Sequence, residues 1–279
     1  MQCAECRARC ANFQDRHRAQ HAAAACARLD PGNSRVDSNQ TPDITPSPCR
    51  ESENSFAPHR NFSLNGRDQA KLALARAGFP DPARISTCAF DVTDETAVTR
   101  AIDSVENKQG AIDILVNNTG IQIRGPLETF ATEDWHRLIS TNLTSVFYVS
   151  RATVKHMIPR RCGKIINICS VNSEAARYSI APYTATKGAL KNLTRGMCVD
   201  WARHNIQVNG LGPGYFDTEL TRALVENAEF TAWLKNRTPA QRWGNVKELE
   251  GAVVFLASPA SDFVNGHILY VDGGMLAGL

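Results

Sequence analysis

The spacing of apolar and polar positions changes character at about residue 62 of this 279-residue chain. Beyond that point short apolar runs alternate with longer stretches whose apolar residues recur every three to four positions, the marks of buried strands and one-sided helices. The runs predict strands over residues 62–64, 85–90, 112–116, 164–168, 206–208 and 268–271. The 3.6-residue pattern predicts helices over 69–77, 94–107, 133–157, 181–204 and 246–257. Strands separated by helical crossovers pair in parallel and are covered on both faces. The expectation is an α/β fold around a doubly wound parallel sheet, with its ligands at the carboxyl ends of the strands.

Residues 1–60 read differently. They hold five of the nine cysteines, eight arginines, no lysine, five prolines and one glycine, and the exception to their lack of pattern is the short run Ala22 to Ala25. Neither period persists there, so a poorly structured segment at 1–60 and one domain at 61–279 are expected. Cys3, Cys6, Cys10, His17 and His21 offer thiolates and imidazoles, but their spacing fits no standard zinc module and the flanks supply little apolar surface, so no metal site is expected. The cysteines are read as free thiols. A formal charge of +3, from 31 basic and 28 acidic residues, argues for neither nucleic acid nor an anionic surface as partner. No run approaches the ~20 apolar residues of a membrane helix, and no apolar secretory segment opens the chain, so a cytoplasmic protein with no membrane partner is expected.

Three groups of residues carry candidate chemistry. Tyr183 and Lys187 are four apart in a predicted helix and share one face. A phenol titrates near ~10, and an adjacent ammonium favours its ionised form, which suits proton transfer. Ser170 lies just past the 164–168 strand, thirteen residues before Tyr183, where its hydroxyl can serve the same substrate oxygen. Asn142, a polar residue within an amphipathic helix, needs partners and could hold a backbone carbonyl or a water leading toward Lys187.

With these residues in place, the chain resembles the short-chain dehydrogenase/reductase family. The likeness is carried in order by Asp91-Val92, Asn117-Asn118-Thr119-Gly120, Thr141-Asn142-Leu143, Ser170, Tyr183 to Lys187, Pro213-Gly214 through Thr218, and Val271-Asp272-Gly273-Gly274. Within the family it is similar to the bacterial gluconate 5-dehydrogenase group, through Gly120 to Pro126, Ile168 to Glu174, Gly214-Tyr215-Phe216, Phe230 to Trp233 and Arg237 to Gly244. The resemblance implies a Rossmann-like sheet and interconversion of D-gluconate and 5-dehydro-D-gluconate. Tyr183 would exchange the proton, Lys187 would hold the nicotinamide ribose, Ser170 would orient the substrate and Asn142 would support the relay. Gln122, Arg124, Ser170, Glu174 and Tyr215 would line the substrate pocket, with Arg124 a candidate carboxylate partner. Asn65, Arg67, Asp91, Val92, Asn118, Gly120, Pro213, Gly214 and Thr218 would join Tyr183 and Lys187 around the cofactor. Where relatives that use NAD commonly present an acidic residue this chain has Asn65-Gly66-Arg67, and Arg67 suits a 2′-phosphate and favours NADP(H), with NAD(H) possible. A homotetramer or homodimer is implied.

The family pattern breaks upstream of residue 62. The phosphate-binding glycine turn of such enzymes should fall near 41–48, yet no glycine occurs from Asn33 to Leu64, and Pro42, Pro46, Pro48 and Pro58 oppose a following helix. The family's first, central strand and its glycine turn are therefore expected to be absent or degraded. Either residues 1–60 are a misread stretch joined to a sound enzyme, or the chain is genuine with a compromised cofactor cleft. Two other functions remain open: a broader ketone, polyol or 3-oxoacyl reductase, and a catalytically silent interaction protein.

Overall fold

The computed structural model describes residues 61–278. The composition break, the cysteine–histidine cluster and the expected place of the glycine turn lie outside the described residues.

Six parallel strands are described: β1 Phe62–Gly66, β2 Ile85–Ala89, β3 Ile114–Asn117, β4 Gly163–Ile168, β5 Ile206–Pro213 and β6 Ile268–Val271. The helices are α1 Gln69–Ala77, α2 Glu95–Gln109, α3 Thr132–Ile139, α4 Ser145–Arg160, α5 Ala181–Trp201, α6 Arg222–Val225, α7 Ala228–Arg237 and α8 Glu250–Ala257. Asp68 and Asp94 start α1 and α2 by accepting hydrogen bonds from first-turn amides.

Among the described residues the strands form two sheets, β1-β2 and β3-β4-β5-β6, rather than one. The larger is covered on both faces. Successive residues of β4 point to opposite sides, so Ile165 packs with Val208, Leu190 and Met157 under α4 and α5, while Ile166 packs with Leu211, Val253 and Leu256 under α8. The smaller sheet is backed by α1 through Leu64, Leu72, Ala75, Phe79 and Ile85. A cavity of about 490 Å³ is lined by residues of β1 and β3 together with Val92, Ile102, Val146 and Val149. It lies between the two sheets, where the family likeness puts a first, central strand.

Three elements differ from the periodicity reading. Strand β5 continues past the expected 206–208 to Pro213, where Gly210 and Gly212 leave room for Ile268 and Tyr270: a Cβ on either glycine would come within 2.5 Å of those side chains. The helix expected over 133–157 is two helices joined by a π-helical turn at Ser140–Thr144. Helix α7 was not expected. Cys88, Cys169 and Cys198 are free. Among the described residues no helix is long and apolar enough to cross a membrane.

Candidate active site

The carboxyl end of β4 organises the site. Its last carbonyl, Ile168 O, accepts a hydrogen bond from Lys187 Nζ at 2.6 Å, and Lys187 is almost completely buried. One helical turn earlier on α5, the Tyr183 ring lies 5.8 Å from that nitrogen. The ammonium has three donors, so two remain for a ligand. Ser170, two residues beyond β4, is buried in extended backbone, and its Oγ accepts the Asn172 amide at 3.1 Å. That bond uses a lone pair and leaves the hydroxyl proton free to be donated.

Asn142 sits fully buried in the π-helical turn. Its Oδ1 accepts from Ile121 N at 2.8 Å, while Nδ2 donates to Ile121 O at 2.9 Å and to Thr186 Oγ1 at 3.2 Å. The expectation that it holds a backbone carbonyl is met at Ile121, and the turn is what aims it there. A Cβ on Gly120 would lie 3.4 Å from Asn142 Oδ1 and 3.9 Å from Lys187 Nζ, so Gly120, Asn142 and Lys187 converge. Asn117 is structural in its contacts, donating to Ser150 and Asn167 in a buried ladder that continues to Thr194.

Beside this centre two loops meet. The Gly125 amide donates to Ser179 O at 3.0 Å, joining the segment after β3 to the segment before α5. Gln122 accepts from Arg124 Nη2 at 3.2 Å. Tyr215, just past β5, is held edge-on among Trp233 and Trp243 with Phe230 beside it, at centroid distances of 6.2, 6.0 and 5.6 Å. Its hydroxyl accepts from Arg177 Nε at 3.1 Å. Burial pushes the Tyr215 phenol up, against the pull of Arg177 and Arg124. Burial and then the neighbouring Arg177 charge lower the Arg124 guanidinium.

Glu174 has partners of its own: its two oxygens accept from Lys191 Nζ at 2.6 Å and Tyr270 Oη at 2.8 Å, in that order holding its carboxyl below the usual range. Gly214 donates to Val271 O at 2.9 Å, with Asp272 Cα only 2.8 Å from where a Cβ would stand, and Pro213 ends β5 beside it. Thr218 caps a short 3₁₀ turn, its amide donating to Thr221 Oγ1 at 3.0 Å.

The remaining expected residues belong to the small sheet. Asn65 Nδ2 donates to Cys88 O at 3.1 Å and Phe90 O at 3.2 Å, stapling the ends of β1 and β2. Arg67, largely exposed, lies 3.6 Å from Asp91, whose carboxyl is held low first by Thr93 and only then by Arg67. Val92 is buried against α2, and Asn118 lines the cavity between the sheets. Ser170, Tyr183 and Lys187 are not among the residues that line that cavity.

Two features escaped sequence reasoning. The aromatic wall of Phe230, Trp233 and Trp243 comes from α7 and the loop beyond it. Arg177 had one usable signal: it is the only cation between Ser170 and Tyr183.

Comparison with known proteins agrees with this architecture. A family model described as enoyl-(acyl carrier protein) reductase matches residues 63–276. A gluconate 5-dehydrogenase of Gluconobacter oxydans (strain 621H) is 58% identical over 217 residues, covering 77% of this chain and 85% of that protein. A 5-keto-D-gluconate 5-reductase of Escherichia coli (strain K12) is 59% identical over 187 residues, covering 67% of this chain and 74% of its own. The crystal structure of a gluconate 5-dehydrogenase from Burkholderia cenocepacia J2315, in complex with NADP and tartrate, superposes with a TM-score of 0.74 at 56% identity, covering 78% of this chain and 86% of that one.

Proposed function

This chain belongs to the short-chain dehydrogenase/reductase family, and from that premise we propose that it is an NADP(H)-dependent oxidoreductase interconverting D-gluconate and 5-dehydro-D-gluconate. The observation that carries the reading is the buried Lys187, anchored on Ile168 O one turn from Tyr183 at the carboxyl end of the sheet. The relatives' activities and the NADP in the Burkholderia protein support the substrate and cofactor.

The residues present fit a nicotinamide cofactor at its two ends. Lys187 keeps two donors for ribose hydroxyls, with Gly120, Pro213, Gly214 and Thr218 nearby in the strand-end layer. Arg67 has only a long, exposed ion pair to give up for a 2′-phosphate, next to Asp91 and Val92. When bound, the cofactor supplies or accepts the hydride. The protein does the rest: Ser170 donates to the substrate oxygen, Tyr183 gives it a proton or takes one, and the Lys187 charge faces the phenol. Asn142 keeps Ile121 and hence the Gln122–Arg124 loop in place. Glu174 acts through Lys191 and Tyr270 and orients the loop after Ser170.

Residues 61–279 form the enzyme domain in this reading, with 1–60 a separate segment, and the chain works in the cytoplasm as a homo-oligomer; exposed Phe147 on α4 and Val199 on α5 support the last point. Titrating the full-length chain with NADPH and then with NADH, and following NADPH oxidation by 5-dehydro-D-gluconate, tests the whole. Saturable binding that favours NADPH with turnover upholds it. A folded chain that binds neither cofactor would instead fit a silent scaffold protein, and turnover of a 3-oxoacyl thioester without the sugar acid would fit a broader reductase.

A further inference from the structure

We propose that Arg177 is a second anion-binding residue of the substrate pocket, taking the substrate carboxylate jointly with Arg124 beside the Tyr215 hydroxyl. The inference rests on the sugar-acid reading above and names the group that recognises the acid end.

The case begins with the bonding of Arg177. Its Nε donates to Tyr215 Oη at 3.1 Å and its Nη1 to Tyr178 O at 3.3 Å. Its Nη2 is buried and has no hydrogen-bond partner. A buried guanidinium nitrogen without an acceptor is costly, and the cost is recovered when an acceptor arrives. The guanidinium also stacks over Phe230, 5.3 Å from the ring centroid, which fixes its plane.

The surrounding charge points the same way. Arg124 and Arg177 stand on the two loops joined by the Gly125–Ser179 bond, Arg177 donates to the Tyr215 hydroxyl, and the two charges disfavour one another, so two cations face one region of the site. Among the described residues neither has a carboxylate within ion-pair distance, and the acid nearest to Arg177 in sequence, Glu174, accepts from Lys191 and Tyr270. Two partly desolvated guanidiniums without a counter-charge form a site for an anion, and their planar forks match a carboxylate. Arg177 stands on the loop that Gly125 joins at Ser179, four residues before Tyr183, so a carboxylate held here leaves the rest of a sugar chain to reach the proton-transfer group.

The test uses the full-length chain, with and without NADP⁺, and follows tryptophan fluorescence, since Trp233 and Trp243 flank Tyr215. The probes are 5-dehydro-D-gluconate and L-sorbose, the same carbon skeleton with a hydroxymethyl group in place of the carboxylate, together with tartrate. Arg177→Met should weaken 5-dehydro-D-gluconate at least tenfold and leave L-sorbose unchanged, and Arg177→Lys should recover part of the loss. Equal loss for both sugars would mean a collapsed pocket and overturn the proposal. Wild-type affinity in Arg177→Met, with loss in Arg124→Met, would also overturn it while leaving the sugar-acid reading intact. If the wild type binds tartrate but not 5-dehydro-D-gluconate, and Arg177→Met loses tartrate, the sugar-acid reading fails and the role of Arg177 stands. If Arg177→Met does not fold, Arg177→Lys decides: a loss confined to the acids supports the proposal, and no loss overturns it.

Discussion

The two sheets are built from the same kind of unit, a parallel strand pair with a helical crossover, yet they bury their cores to different depths. In the four-stranded sheet Ile165, Ile206 and Val208 are fully buried, and Ile166, Leu190, Leu211 and Leu256 nearly so. In the β1-β2 pair, Leu64, Leu72, Ala75, Phe79 and Ile85 each retain 4–9% exposure. A covered sheet sheds water from both faces, whereas an isolated strand pair is marginal without further packing. The proton-transfer residues stand on the deeper half and Arg67 and Asp91 on the shallower one. Chemistry is thus built on the deeply buried part, and the shallow part carries the residues expected to choose the cofactor.

The sharpest break in that comparison should come from Tyr183→Phe. Losing the proton-transfer group should lower kcat for 5-dehydro-D-gluconate by about 10²–10⁴-fold, while the thermal midpoint stays put. Next, Ile165→Ala should cost roughly 2–5 kcal/mol in urea denaturation. Leu64→Ala should leave the main transition nearly unchanged and act locally, seen as faster amide exchange confined to β1 and β2. If Leu64→Ala instead shifts the main transition as far as Ile165→Ala does, the two halves unfold as one. Arg67→Ser should weaken NADPH by roughly tenfold, about 1.4 kcal/mol, with NADH unaffected, as read by fluorescence titration.

The smallest effect expected concerns the junction. Glu106 of α2 is held by Arg160 of α4 at 2.7 Å and by the Ile112 amide at 2.9 Å. Burial raises its carboxyl, but these hydrogen bonds outweigh it and the net shift is downward. A carboxyl lower in the folded than in the unfolded chain adds stability above its unfolded value, near ~4.3, and loses it as the pH falls through its folded value. Urea midpoints should therefore fall below about pH 4.3 in the wild type and less steeply in Glu106→Gln. Equal slopes would remove Glu106 from the acid sensitivity of the fold.

Local periodicity made much of this legible. The positions of five helices and six strands followed from apolar spacing, and Tyr183 and Lys187 were visible as a pair because four residues bring side chains onto one helical face. The extension of β5 was hidden because Gly210 and Gly212 normally weaken a strand, and only the Ile268 and Tyr270 side chains explain them. The π-helical turn was hidden because an insertion of part of a turn leaves the apolar pattern nearly intact. Glu174 read as a pocket residue because its sequence position suited one, yet Lys191 and Tyr270 claim both its oxygens.

By itself, the sequence determined the parallel α/β order, the residues of each core and the helical pairing of Tyr183 with Lys187, since these depend on backbone repeats of two and 3.6 residues. The tertiary structure decided that Lys187 rests on Ile168 O, that Asn142 grips Ile121, and that Arg124, Arg177 and Tyr215 come close enough to bear on one another's charge. Those residues are 19 to 91 positions apart or come from separate loops, and what brings them together is the adjacency of strand ends in the folded sheet, which no local repeat encodes.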